Sequence, residues 1–348
     1  MACRRTTRSI VLTAFTWFLA HVQFPESCVP ESIPPRQKAS SVHREKTGMS
    51  NSLKVKLSPQ TTFKLSSEER NLVRRVAKLG KEGDWQCARQ LYEDYTGSAV
   101  PVFTAAAQAA YRCGQYMEAA KIYHKLRSLP VVVSEVSLVV ALKLFGKLQE
   151  PSMVERIWAE VSERGWLSNK ILCGARINSA AYMGDIAGAA SVLDSMVANE
   201  LELSVYVFNS AILACANAEP PSHKAAMYFF DALLNHGFSP TVVTFTNLAR
   251  AHATASLAEI QRVRATANEN NIHLNAVFAE CYVRSLFQRR LAKNAHSVKA
   301  VQALLADLPG REERLKEAHS ALLQLQASNV VLSRLCHVII EYLRQEGL

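Results

Sequence analysis

The sequence predicts an all-α chain, a right-handed α-solenoid of helix–turn–helix repeats of about 35 residues. Two segments carry the prediction. VYVFNSAILACANA (205–218) and VVTFTNLARAHATA (242–255) both open with β-branched residues and an aromatic, then run on as helices with alanines at close-contact positions. Their lead-in turns, ELELS (200–204) and GFSPT (237–241), match as well. The last residue of that turn recurs as Ala99, Ser134, Asn169, Ser204, Thr241 and Asn275, at intervals of 35, 35, 35, 37 and 34. The interval of 37 has its cause in Glu219-Pro220-Pro221, which lengthens one inter-helix turn.

Taken from the N-terminus, residues 1–30 read as a targeting segment. Arg4, Arg5 and Arg8 precede an apolar run from Ile10 to Ala20, too short for a bilayer span and suited to a signal h-region. An N-terminal membrane anchor is the alternative for the same run. Residues 31–64 are basic and rich in Ser, Thr and Pro, as in a transit peptide or a disordered linker. Together the two segments resemble the bipartite presequences of complex plastids, and a mitochondrial presequence shares the same composition. The expected location is therefore organellar, a plastid ahead of a mitochondrion, with no stable membrane insertion of the mature chain.

The repeats occupy 65–275 as six copies: 69–99, 100–134, 135–169, 170–204, 205–241 and 242–275. In 100–134 the first helix is FTAAAQAAYR, the turn is Cys113-Gly114-Gln115 and the second helix is YMEAAKIYHKLRSL. In that second helix Tyr116, Ala119, Ala120, Tyr123 and Leu126 recur at helical spacing and form one buried face. The turn glycine recurs as Gly83, Gly114 and Gly184, where a helix ends and reverses. A small residue recurs in the second helix as Ala88, Ala119, Ala189 and Ala226, replaced by Val154 and Ile260 in two copies. A bulkier one follows four positions on at Tyr92, Tyr123, Trp158, Leu193 and Phe230. A single helix pair of this kind leaves an apolar face open, so the copies must stack. Residues 276–290 read as the first helix of a degenerate copy, and 297–308, 311–327 and 329–346 as three further helices. That tail serves either as a C-terminal helical cap or as a dimer contact.

The period, the openings VYVFN and VVTFT and the endings GWLSN and GFSPT resemble pentatricopeptide repeats. The tetratricopeptide repeat is a neighbouring family of similar period, but its Trp, Leu-Gly and Tyr pattern does not occur here. The resemblance covers about three-fifths of the chain. It implies a partner, single-stranded RNA, read by one base per repeat. It also implies that base choice rests on the residue after the helix-opening aromatic and on the last residue of the repeat. Here those pairs are Thr104 with Ser134, Val139 with Asn169, Gly174 with Ser204, Asn209 with Thr241, and Thr246 with Asn275. By the resemblance, Thr246 with Asn275 looks like an adenine reader, Thr104 with Ser134 leans to purine and Asn209 with Thr241 to pyrimidine. Val139 and Gly174 offer a base edge no hydrogen bond. Ser204, Thr241 and Asn275 are equally residue types that cap helices. A basic residue late in the first helix, Lys81, Arg112 and Lys147, is the implied phosphate contact; it lapses to Tyr182, Asn217 and Thr254. The alternative is that these cations simply suit a helix C-terminus.

Charge adds little to that reading. The chain is +10 overall, but residues 1–64 hold 10 Lys+Arg and 3 Asp+Glu, which leaves +3 for 65–348. Residues 100–275 hold 14 of each sign. A nucleic-acid footprint requires basic charge gathered on one face. Three competent repeats at roughly 1–3 kcal/mol each give an expected affinity of about micromolar. The eight cysteines show no C-x-x-C spacing, and Cys87, Cys173 and Cys215 fall in apolar helical patterns as packed thiols of a reducing compartment. The sequence contains no P-loop, no G-x-G-x-x-G and no deaminase signature. The chain therefore reads as a non-enzyme without a cofactor. Two functions stay open: an RNA-binding protein of organellar RNA processing, stability or translation, and a protein-interaction solenoid within an organellar ribonucleoprotein.

Overall fold

The computed structural model describes residues 65–291 and 297–348, which contain sixteen α-helices and no strand. The expectations for 1–30 and 31–64 lie outside these residues. The helices are α1 (Ser67–Glu82), α2 (Trp85–Glu93), α3 (Val100–Arg112), α4 (Tyr116–Ser128), α5 (Glu135–Leu148), α6 (Pro151–Glu163), α7 (Lys170–Met183) and α8 (Ile186–Ala198). They continue as α9 (Val205–Asn217), α10 (His223–Asn235), α11 (Val242–Ala251), α12 (Leu257–Glu269), α13 (Ala276–Leu286), α14 (Val298–Leu305), α15 (Arg311–Ala327) and α16 (Arg334–Gln345).

The recurring turn residues have a physical identity. Ala99, Ser134, Asn169, Ser204, Thr241 and Asn275 are the N-cap residues of α3, α5, α7, α9, α11 and α13. An N-cap side chain satisfies amide groups that the first helical turn cannot, which suits the short polar Ser, Asn or Thr found at every copy of this register except Ala99. Helix α1 starts two residues before the expected boundary at 69, because Ser66 and Glu69 close a reciprocal capping box ahead of it. It ends at Gly83, whose φ of +82° favours glycine.

First helices α1, α3, α5, α7, α9, α11 and α13 pack against one another in series. Each second helix packs on its own first helix and on the next one. The small register positions Ala88, Ala119, Ala189 and Ala226, with Val154 and Ile260, are all fully buried between them. Close approach of the first helices needs small residues. A Cβ on Gly80 would stand 2.6 Å from the Ala109 Cα, and one on Gly146 2.4 Å from the Ser179 Cα. Tyr111 holds the corresponding position in α3, and α3 and α5 approach each other less closely than their neighbours do. Side chains tie the layer further: Asn217 Nδ2 donates to the Ala181 carbonyl (2.7 Å), Asn247 Nδ2 to that of Asn209 (3.0 Å) and Ser285 Oγ to that of Ala249 (2.6 Å).

The tail departs from simple succession. Helix α13 opens like a seventh first helix, but its partner is α15, not α14. The buried Glu317 of α15 accepts from Tyr282 Oη (2.7 Å) and Gln261 Nε2 (3.0 Å) and pairs with Arg264 (2.8 Å), so α15 is fastened to α12 and α13 together. The eight-residue α14 packs on α16 instead. No described helix is long and apolar enough to cross a membrane.

Candidate nucleic-acid interface

On a helix, positions three to four apart share a face. Counted from each N-cap, the second, fifth, ninth and thirteenth residues of the first helices form one such strip. Its second position is the part that sequence reasoning missed. Val136, Ile171, Tyr206, Val243 and Val277 occupy it in five consecutive first helices, and all five are more than half exposed. Large apolar side chains repeated in solvent at one register constitute a built apolar surface. The sequence carries this signal in the β-branched helix openings, which mark the repeat and the exposed strip alike.

The fifth position is less open. Thr104 is buried, bonds the Val100 carbonyl (2.9 Å) and shares a 2.6 Å bond with Ser137 Oγ of the next first helix. Thr246 Oγ1 donates to the Val242 carbonyl (2.7 Å), a local bond that competes with any ligand. Asn209 differs: it is 9% exposed, and its Oδ1 meets no donor among the described residues. An unpaired buried amide oxygen is costly, roughly 1–3 kcal/mol. Val139 is partly buried, whereas a Cβ on Gly174 would meet nothing within 4 Å. Gly174 lines an open cleft of about 240 Å³ with Ile171, Ser204, Tyr206 and Lys143.

Among the N-caps, Ser134 accepts from Ser137 N, Asn169 from Ile171 N and Leu172 N, and Asn275 from Phe278 N. Asn169 also donates to Glu135 at 2.5 Å. Thr241 lies 3.3 Å from the Thr244 hydroxyl. Ser204 is exposed and makes no capping bond with its side chain. The structure thus gives Ser134, Asn169 and Asn275 a capping role and leaves Ser204 available.

Lys81, Arg112 and Lys147 are exposed at the ends of α1, α3 and α5. Lys147 stands over two aromatic rings, Tyr182 at 4.4 Å and Tyr116 at 5.9 Å. Tyr111 packs beside Tyr116, with ring centroids 5.5 Å apart, and burial, together with Tyr182 and Tyr116, pushes its phenol well up. The strip is therefore basic at α3 and α5 and tyrosine-lined toward α7. No cluster of metal-ligating side chains occurs among the described residues.

The sequence matches no protein-family model and no curated protein. Solved structures with a similar fold include the pentatricopeptide repeat protein PPR10 in complex with an 18-nt psaJ RNA element, at 16% identity and a TM-score of 0.54. A cysteine-to-serine variant of PPR10 with the same RNA gives the same values. Both alignments cover 82% of this chain and 44% of the other. The likeness is one of fold: the described chain is an all-α pentatricopeptide-type solenoid spanning less than half of the protein it matches.

Proposed function

We propose that this chain is a pentatricopeptide repeat protein that binds single-stranded RNA along the first-helix strip. In that reading it acts in processing, stability or translation of an organellar transcript, without catalysis of its own. The observation that carries the proposal is the exposed apolar series Val136, Ile171, Tyr206, Val243 and Val277. Packed helix axes lie about 8–10 Å apart. A flat base in van der Waals contact with an apolar side chain on each face needs about 7–8 Å. Successive members of the series therefore suit one base between them, with the fifth-position and N-cap residues at its edge. The uncapped, exposed Ser204 hydroxyl is the freest edge group; Asn209 Oδ1 is unpaired among the described residues but buried. Arg112 and Lys147 supply charge toward the backbone. Targeting to an organelle, a plastid ahead of a mitochondrion, rests on the basic, hydroxyl-rich residues 1–64.

A second reading, an extended peptide held on the same strip, is favoured by the protein-bonded hydroxyls of Thr104 and Thr246. Crosslinking and sequencing of RNA from cells expressing the tagged full chain separates the two. The RNA reading expects a compact footprint that Ile171→Asp/Val243→Asp abolishes. Absence of crosslinks, with proteins recovered from the wild type and lost from the variant, would replace it by the peptide reading.

A further inference from the structure

The basic side chains of the strip do not end at Lys147. They resume after a neutral stretch, in a cluster that no single repeat register reveals. Arg250 lies on α11 one turn beyond Thr246, and Arg284 occupies the same register position on α13. Arg289 follows in the turn after α13, at a φ of +58°. Each is held from behind by the protein. Arg250 Nη2 donates to Asn217 Oδ1 (2.8 Å), and Arg284 Nη1 to the Leu291 carbonyl (2.7 Å). Arg289 Nη2 donates to the carbonyl of Ala216 and, at 3.4 Å, to that of Arg250.

The three guanidinium groups border one open cleft of about 540 Å³. One carboxylate lines the cleft with them, Glu280, which is paired with Arg284 at 3.1 Å; Glu219 acts on Arg289 from outside it. The cleft thus holds three fixed positive charges against one. Burial first, and then the nearby Arg250, weaken the hold of Arg289 on its proton, against the opposing pull of Glu219. Arginine stays charged at all physiological pH and presents a planar fork that fits phosphate oxygens.

We infer that Arg250, Arg284 and Arg289 form a phosphate-binding cleft that grips the backbone of the single strand where it leaves Thr246. The inference rests on the RNA reading for the identity of the strand. It makes the strip a two-ended electrostatic clamp, Arg112 and Lys147 at one end and this cleft at the other, with the tyrosine-lined, nearly uncharged middle left to bases.

The test measures affinity of the full chain for its crosslinked RNA by fluorescence anisotropy across a salt series. Each phosphate contact on a single strand contributes about 0.7 to the log–log salt slope. Arg250→Gln/Arg284→Gln should lower the slope by about 1.4 and weaken binding about tenfold, while Arg250→Lys/Arg284→Lys should keep most of the slope. A parallel arm on the unmutated protein uses inorganic tripolyphosphate, which should protect Arg250 and Arg284 from phenylglyoxal as mapped by mass spectrometry. RNA binding with an unchanged slope and no protection overturns the cleft and leaves the RNA reading intact. Protection by tripolyphosphate in a chain that binds no RNA overturns the assignment to a strand and makes the cleft a site for free polyphosphate.

Discussion

Gly146 of α5 lies so near Ser179 of α7 that a Cβ on the glycine would stand 2.4 Å from the Ser179 Cα. This contact sets how tightly two first helices join in the middle of the array. Gly146→Ala gains helix propensity, about 1 kcal/mol, but forces backbone apart, and overpacking typically costs about 1–3 kcal/mol. The expected net loss is up to about 2 kcal/mol by urea unfolding. Gly174→Ala, with nothing within 4 Å of the added atom, should instead stabilise by up to about 1 kcal/mol. Equal effects from the two substitutions would show that α5 and α7 are not packed as described.

The Glu317 junction holds the tail to the last repeats. Replacing Glu317 by Leu takes the acceptor from the Tyr282 hydroxyl and the carboxylate from Arg264, which keeps only its bonds to Gln324 and Ser320. Breaking a buried pair on one side costs about 3–5 kcal/mol. The loss should appear first as faster amide hydrogen exchange in α15, with α3–α9 unchanged.

Asp194 of α8 provides a pH signature. Burial raises its carboxyl to about 6. A raised carboxyl favours the protonated folded state, so its unfavourable contribution is complete above pH 6 and disappears as pH falls toward 4. Asp194→Asn should be more stable than wild type at pH 7, by about 1 kcal/mol after solvent screening is allowed for. The difference should vanish near pH 4 in paired thermal melts.

Tyr206 tests the apolar series without disturbing the core, since it is 53% exposed. Tyr206→Ala should weaken RNA binding about tenfold, within the roughly 1–3 kcal/mol of one base–aromatic stack, with an unchanged melting temperature. Tyr206→Phe should retain affinity.

The repeat was legible because each N-cap and each buried small residue is fixed by local geometry that repeats with the chain. Asn169 and Asn275 show it: each accepts from an amide of the first turn of the helix that it opens. The partnership of α13 with α15 was not legible, because Glu317 meets Tyr282 across an insertion that carries α14, and no periodicity encodes that detour. The arginine cleft was hidden for a related reason. Arg289 reaches the Ala216 carbonyl, 73 residues away, from a turn outside the repeat register. At the proposed interface the sequence nominates polar edge positions but could not show that Thr104 and Thr246 direct their hydroxyls to backbone carbonyls. The apolar residues of the strip stand in the helix openings of the sequence, but their exposure follows only from how the first helices pack.

Backbone-to-backbone approach is concentrated in the first-helix layer, whereas neighbouring second helices are joined by long side chains such as Arg127 to Glu160 at 2.8 Å. Such a surface pair contributes at most about 1 kcal/mol, so one layer is a stiff seam and the other a compliant rim. The array should therefore flex about its seam, like a spring. Its pitch can follow the length of whatever lies along the strip, and the work of stretching falls on side-chain bridges rather than on the core.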